Sequence, residues 1–121
     1  MKLRIKGNSV RLRLSKPEVE QLSSVGTITE RTNFINADFI YSIEKSIEEN
    51  NIRAGYDNNH LTVYVPAKLV NDWPNNNVIS LHNRLADGSI PEVYVLVEKD
   101  FKCMDDSSED QSDNYENPKA C

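Results

Sequence analysis

The chain is poor in cysteine, in long apolar runs and in familiar catalytic signatures. Two cysteines in 121 residues, Cys103 and Cys121, are too few for a disulfide scaffold. No apolar run approaches the roughly 18 residues that a bilayer crossing needs, so no membrane span is expected. The opening Met1-Lys2-Leu3-Arg4-Ile5-Lys6 lacks the apolar stretch of a secretory signal, and a cytoplasmic protein is the expectation. There is no G-x-S-x-G, P-loop, G-x-G-x-x-G, H-E-x-x-H or EF-hand pattern. No motif calls for a cofactor or a metal, and none is assigned. No internal repeat is evident.

What is present suits one small domain. The chain is 38% hydrophobic and 27% charged, with a mean hydropathy of −0.60, enough apolar material for one core. Its net charge of −5 is unevenly placed. Residues 1–103 hold 13 Lys/Arg and 13 Asp/Glu, whereas residues 104–121 hold six acids against Lys119 alone. The division is therefore a compact domain over 1–103 and an acidic C-terminal tail over 104–121. That tail cannot bury enough apolar surface alone to offset the entropy of ordering. It is disordered or held against the body.

Residues 2–6 and 10–14 alternate apolar with polar, the period of a half-buried strand, and Gly7-Asn8 between them suits a tight hairpin. That register sets Lys6 opposite Ser9, Ile5 opposite Val10, Arg4 opposite Arg11, Leu3 opposite Leu12 and Lys2 opposite Arg13. One face is apolar; the other gathers Lys2, Arg4, Lys6, Arg11 and Arg13. Ser15 and Glu18 then form a capping box, with Leu14 and Val19 at the staple positions, so a helix runs to about Ser24 and stops at Gly26. Strands are expected over 27–32 and 38–44, and a hairpin around Asp57-Asn58-Asn59. A short helix follows from Pro66 to Trp73, where Trp73 is read as a core anchor. A further hairpin brackets Asp87-Gly88, and Val93–Val97, apolar on both faces, reads as a central strand covered on both sides. The expected class is α+β: a mainly antiparallel sheet or partly closed barrel of about seven to eight strands with two short helices.

The opening Lys2-Leu3-Arg4-Ile5-Lys6-Gly7-Asn8-Ser9-Val10-Arg11-Leu12-Arg13-Leu14 resembles the start of a family of small uncharacterised bacterial proteins of Bacteroidetes type. The stretch Val97-Glu98-Lys99-Asp100-Phe101-Lys102-Cys103, continued by residues 109–118, resembles its end. The resemblance spans nearly the whole chain. It implies a bacterial, cytoplasmic protein, a domain of unknown function with no catalytic residues to carry over.

Three groups of residues can carry chemistry. The five cations of the hairpin can bind phosphate, nucleic acid or an acidic protein segment. The preferred reading is a solvated face balanced by acids such as Glu30, Asp38 or Glu44. Like charges directly opposite one another are destabilising and need such neighbours. Glu98 and Asp100, two residues apart on a strand, place two carboxylates about 7 Å from each other on one face. With Cys103 and Cys121 they make a candidate site at the strand end and tail, although 17 intervening residues is no recognised ligand spacing. The plainer readings are solvated carboxylates, one packed thiol at Cys103 and one exposed thiol at Cys121. His60 and His82 have no nearby Ser or Cys pattern. The favoured function is a non-enzymatic binding or accessory protein whose partner, a protein among the candidates, the sequence does not identify. The acidic pI, near 5, argues against general nucleic-acid binding. The alternative is a small enzyme or metal-dependent protein using Glu98, Asp100 and the two cysteines.

Overall fold

A computed structural model describes residues 1–90 and 92–101. Cys103, Cys121 and the acidic 104–121 stretch lie outside the described residues. Eight strands form: β1 (Lys2–Lys6), β2 (Ser9–Leu14), β3 (Thr27–Asn33), β4 (Asp38–Ser46), β5 (Arg53–Asp57), β6 (His60–Pro66), β7 (Ser80–His82) and β8 (Tyr94–Lys99). Helix α1 spans Lys16–Ser24 and helix α2 spans Ala67–Val70, followed by a 3-10 turn over Trp73–Asn75.

The strands build two four-stranded sheets, not one sheet or a barrel. Sheet I has the order β1-β2-β8-β7 and sheet II the order β3-β4-β6-β5. Each is mixed: the outer pairs are antiparallel hairpins, and the two inner strands, β2 with β8 and β4 with β6, run parallel. Four of the six strand pairs are antiparallel, as a mainly antiparallel arrangement requires, and the expected single sheet or partly closed barrel is corrected to two mixed sheets. The molecule is mostly β with two short helices.

Both sheets turn one face into a single core, in which Leu12, Val95 and Val97 of sheet I join Ile43, Val63 and Val65 of sheet II. Local chemistry starts α1 as expected. The capping box between Ser15 and Glu18 is formed, and the flanking Leu14 and Val19 are buried. Gly26 ends the helix at φ +98, a conformation that costs glycine little. The Asp87-Gly88 hairpin is looser than expected, with the turn isolated in a long connection between β7 and β8. Strand β8 is an inner strand of its sheet, but among the described residues no helix or second sheet covers its outward Tyr94 and Leu96, which are half-buried.

The chain also contains a structural repeat that its residues conceal. The order β1-β2-α1-β3-β4 recurs as β5-β6-α2-β7-β8. Registers correspond: Lys6 faces Ser9 as Asp57 faces His60, and Thr27 faces Glu44 as Ser80 faces Glu98. The Tyr94 N–H donates to the Asn8 carbonyl at 3.0 Å, and the Ile40 N–H donates to the Asn59 carbonyl at 3.0 Å. Gly7 at φ +53 is answered by Asn58 at φ +50, the other residue type that tolerates this region. Buried Leu14, Val19 and Leu22 are answered by buried Val65, Val70 and Trp73. Lys45 and Lys99, at equivalent places, each reach a carbonyl at the end of a helical segment: Ser23 O in the last turn of α1 at 2.7 Å and Asn76 O just after the 3-10 turn at 2.8 Å. Such cations stabilise the negative end of a helical turn.

Candidate functional site

The pleat of sheet I puts Lys2, Arg4, Lys6, Arg11 and Arg13 on its outer face, because their apolar neighbours Leu3, Val10, Leu12 and Leu14 face the core. The register is the one the hairpin turn dictates, with Arg4 opposite Arg11 and Lys2 opposite Arg13. The balancing acids come from β8. Arg11 Nε lies 3.2 Å from Glu98 Oε1, and Arg13 donates to the same oxygen from Nε and Nη2 at 3.0 Å. Lys2 Nζ lies 3.2 Å from Asp100. Glu30, Asp38 and Glu44 belong to sheet II, so the expected counter-acids are corrected to Glu98 and Asp100. Arg84 adds a sixth cation, its guanidinium 5.2 Å above the Tyr94 ring. A shallow depression of about 240 Å³ is lined by Lys2, Leu3, Arg4, Arg11 and Arg13.

Glu98 and Asp100 are thus brought to one face, but as ion-pair acceptors for the hairpin. Neither lines the depression beside them. Among the described residues no three His, Cys, Asp or Glu side chains converge as metal ligands. His82 Nδ1 accepts from the Arg84 backbone N–H at 3.1 Å.

The outer face of sheet II carries a cluster that sequence reasoning missed. Thr29 Oγ1, Ser42 Oγ and His60 Nε2 form a chain across β3, β4 and β6 with spacings of 2.8 and 2.7 Å. His60 therefore does have a serine neighbour. The signal was hidden because β4 and β6 pair in parallel across an intervening strand. Ser42 is only 2% exposed, and among the described residues no acid bonds to the other ring nitrogen of His60. The chain of hydroxyls pins three strands together and lacks the orienting group of a nucleophile–base pair. Beside it lies a depression of about 450 Å³ whose lining includes Glu44, Gly55, Asp57, His60, Thr62 and Tyr64. Arg53 leans over the Tyr64 ring at 4.2 Å and pairs with Glu49 at 2.7 Å. At the far edge Asp38 accepts from Asn33 and Arg31, which hold its carboxyl below the usual range.

At the end of the core away from the helices, Ile5, Val10, Phe39, Tyr56, Leu61 and Val93 line an apolar groove of about 400 Å³. It lies between the two hairpin tips, with Ile5 and Tyr56 at repeat-related positions. No described helix is long and apolar enough to cross a membrane.

No curated protein and no solved structure matches the chain. A family model does, over residues 1–119, which takes in the acidic stretch as well as both repeats. The chain belongs to a family of unknown function (DUF7009).

Proposed function

We propose that this is a non-enzymatic binding protein, that its working surface is the outer face of sheet I, and that its ligand is an acidic polypeptide segment. One observation carries the reading. The two repeats give the molecule two faces of the same construction, and only one concentrates positive charge. Lys6, Arg4, Arg11 and Arg13 of sheet I are answered on sheet II by Asp57, Gly55, Thr62 and Tyr64. Glu98 and Asp100 neutralise part of the sheet I face, which keeps an excess of cations. A face of one sign draws and orients a ligand of the other. The half-buried Tyr94 ring is already under Arg84, so stacking of successive bases gains little here.

The nearest acidic segment is in the chain itself. Residues 104–118 follow Phe101, directly after the Asp100–Lys2 ion pair at the edge of the cationic face. They supply Asp105, Asp106, Glu109, Asp110, Asp113 and Glu116. This segment competes with any external acidic partner.

Fluorescence anisotropy with a labelled oligo-glutamate peptide tests the reading. Binding is expected at low salt, weakened by salt and by Arg4→Gln with Lys6→Gln. It should strengthen when the five acids from Asp105 to Asp113 are changed to their amides. A duplex DNA of equal length binding more tightly than the peptide would overturn it.

A further inference from the structure

Glu44 and Glu98 occupy the same position in the two repeats. Thr27 faces Glu44 in the register in which Ser80 faces Glu98, and Tyr64 pairs with Glu44 as Arg13 pairs with Glu98. Their surroundings differ in one respect. On sheet I two guanidinium groups of the neighbouring strand, those of Arg11 and Arg13, converge on Glu98 at 3.2 and 3.0 Å. On sheet II the corresponding residues are Thr62 and Tyr64. Among the described residues no side chain makes an ion pair or hydrogen bond with Glu44.

Part of the volume that the arginines occupy on sheet I is open on sheet II, and the rest is taken by Arg53, whose Nη1 comes within 3.6 Å of where a Gly55 side chain would begin. The depression of about 450 Å³ beside Glu44 exists because Thr62 is short and Gly55 has no side chain where sheet I carries Arg4. Its second acid, Asp57, stands where sheet I has Lys6. Arg53, at its edge, is bound to Glu49 and stacked on Tyr64, and Arg31, across from Ile40 of the lining, is bound to Asp38. The depression therefore offers a half-buried carboxylate, hydroxyl acceptors on Thr62 and Tyr64, and space.

We infer that this depression is a binding site for a guanidinium group, with Glu44 as its principal acceptor, and that the group is an arginine side chain of a partner polypeptide. The repeat-related carboxylate, Glu98, takes the guanidinium groups of Arg11 and Arg13 within this chain. Guanidinium matches a carboxylate in two parallel hydrogen bonds, which an ammonium cannot do. A sheet face is broad and open at the rim, which suits a side chain presented from another chain. This inference is independent of the cationic face and of the acidic ligand proposed for it.

The test is a titration of the full chain, followed by backbone amide shifts, with Gly-Arg-Gly and Gly-Lys-Gly peptides capped at both ends and with free arginine. The arginine peptide should move the amides of Glu44, Gly55, Thr62 and Tyr64. It should bind about tenfold or more tightly than the lysine peptide, the discrimination expected of charge-assisted paired hydrogen bonds. Glu44→Gln should remove that preference, and Glu98→Gln should leave it. Thr62→Arg, which copies Arg11 onto sheet II, should fill the site from within and block the peptide. Equal binding of the lysine peptide, unchanged binding by Glu44→Gln, or shifts confined to other residues would overturn the assignment. Free arginine binding as tightly as the peptide would overturn the polypeptide source.

Discussion

Asn83 is paired to Val95 as though it were two residues of a strand. Its backbone N–H donates to the Val95 carbonyl at 3.2 Å, and its side-chain Oδ1 accepts from the Val95 N–H at 2.9 Å. Its Nδ2 donates to the Val93 carbonyl at 2.7 Å, and its own carbonyl accepts from Asn51 at 3.0 Å. The carboxamide continues the β7 ladder after the backbone has turned away, and it is buried. Asn83→Leu leaves the buried Val95 N–H and the Val93 carbonyl without these partners. Each unsatisfied buried group costs about 1–3 kcal/mol. The urea midpoint should fall accordingly with an unchanged slope; a loss below about 0.5 kcal/mol would show that water replaces the amide.

Glu18 gives the molecule an acid-sensitive contact. Burial pushes its carboxyl up, but hydrogen bonds from the Met1 amino group and from the Ser15 backbone and side chain outweigh that, and the net position is below the usual carboxylate value. A lowered folded-state value stabilises the protein above the unfolded carboxylate range. That contribution is lost as pH falls through the folded value. Glu18→Gln keeps a capping-box residue and removes the charge. The variant should be less stable than the parent near neutrality, and the gap should close as the pH falls through the folded-state value, below the ordinary carboxylate range. A gap independent of pH would assign the contact to packing.

Leu22 and Trp73 hold equivalent places in the two repeats, both fully buried. Leu22→Ala should cost about 2–5 kcal/mol. Trp73 is the only tryptophan and sits in the other repeat. Because each sheet takes a hairpin from each half, its fluorescence should lose structure in the same transition as the far-ultraviolet circular dichroism. A tryptophan transition that stays at the parent midpoint in Leu22→Ala would show that the halves unfold separately.

Ser42 should not react with fluorophosphonate probes of nucleophilic serine, because it is buried between Thr29 and His60. Ser42→Ala should lower stability by about 1 kcal/mol, the worth of an ordinary hydrogen bond. Stoichiometric labelling of Ser42 would contradict a structural role.

Local features were legible in the sequence. Gly7-Asn8 fixes the hairpin register, Ser15 and Glu18 fix the start of α1, and the apolar run around Val95 marks a central strand. Sheet membership was not legible. Alternation along β2 says which face is buried but not that β8, some 80 residues on, lies beside it. The partners of Arg11 and Arg13 follow from that parallel pairing, and the serine beside His60 follows from the parallel pairing of β4 with β6, and so both escaped. The repeat escaped because its halves keep burial and register and not residue identity: Leu22 is answered by Trp73, Arg13 by Tyr64. Glu44-Lys45 and Glu98-Lys99 are among the few places where both repeats keep the same residues.

The parallel pairing of β2 with β8 and of β4 with β6 means that each half lends a hairpin to the sheet of the other. A chain of half this length, exchanging hairpins with an identical copy, would form the same pair of sheets. Such a dimer could only have twin faces, since any charge placed on one would appear on both. Joining the halves in one chain lifts that constraint. One surface can then become cationic while the other carries the carboxylates of Glu44 and Asp57 around an open depression, so the two faces of one fold take charge of opposite sign.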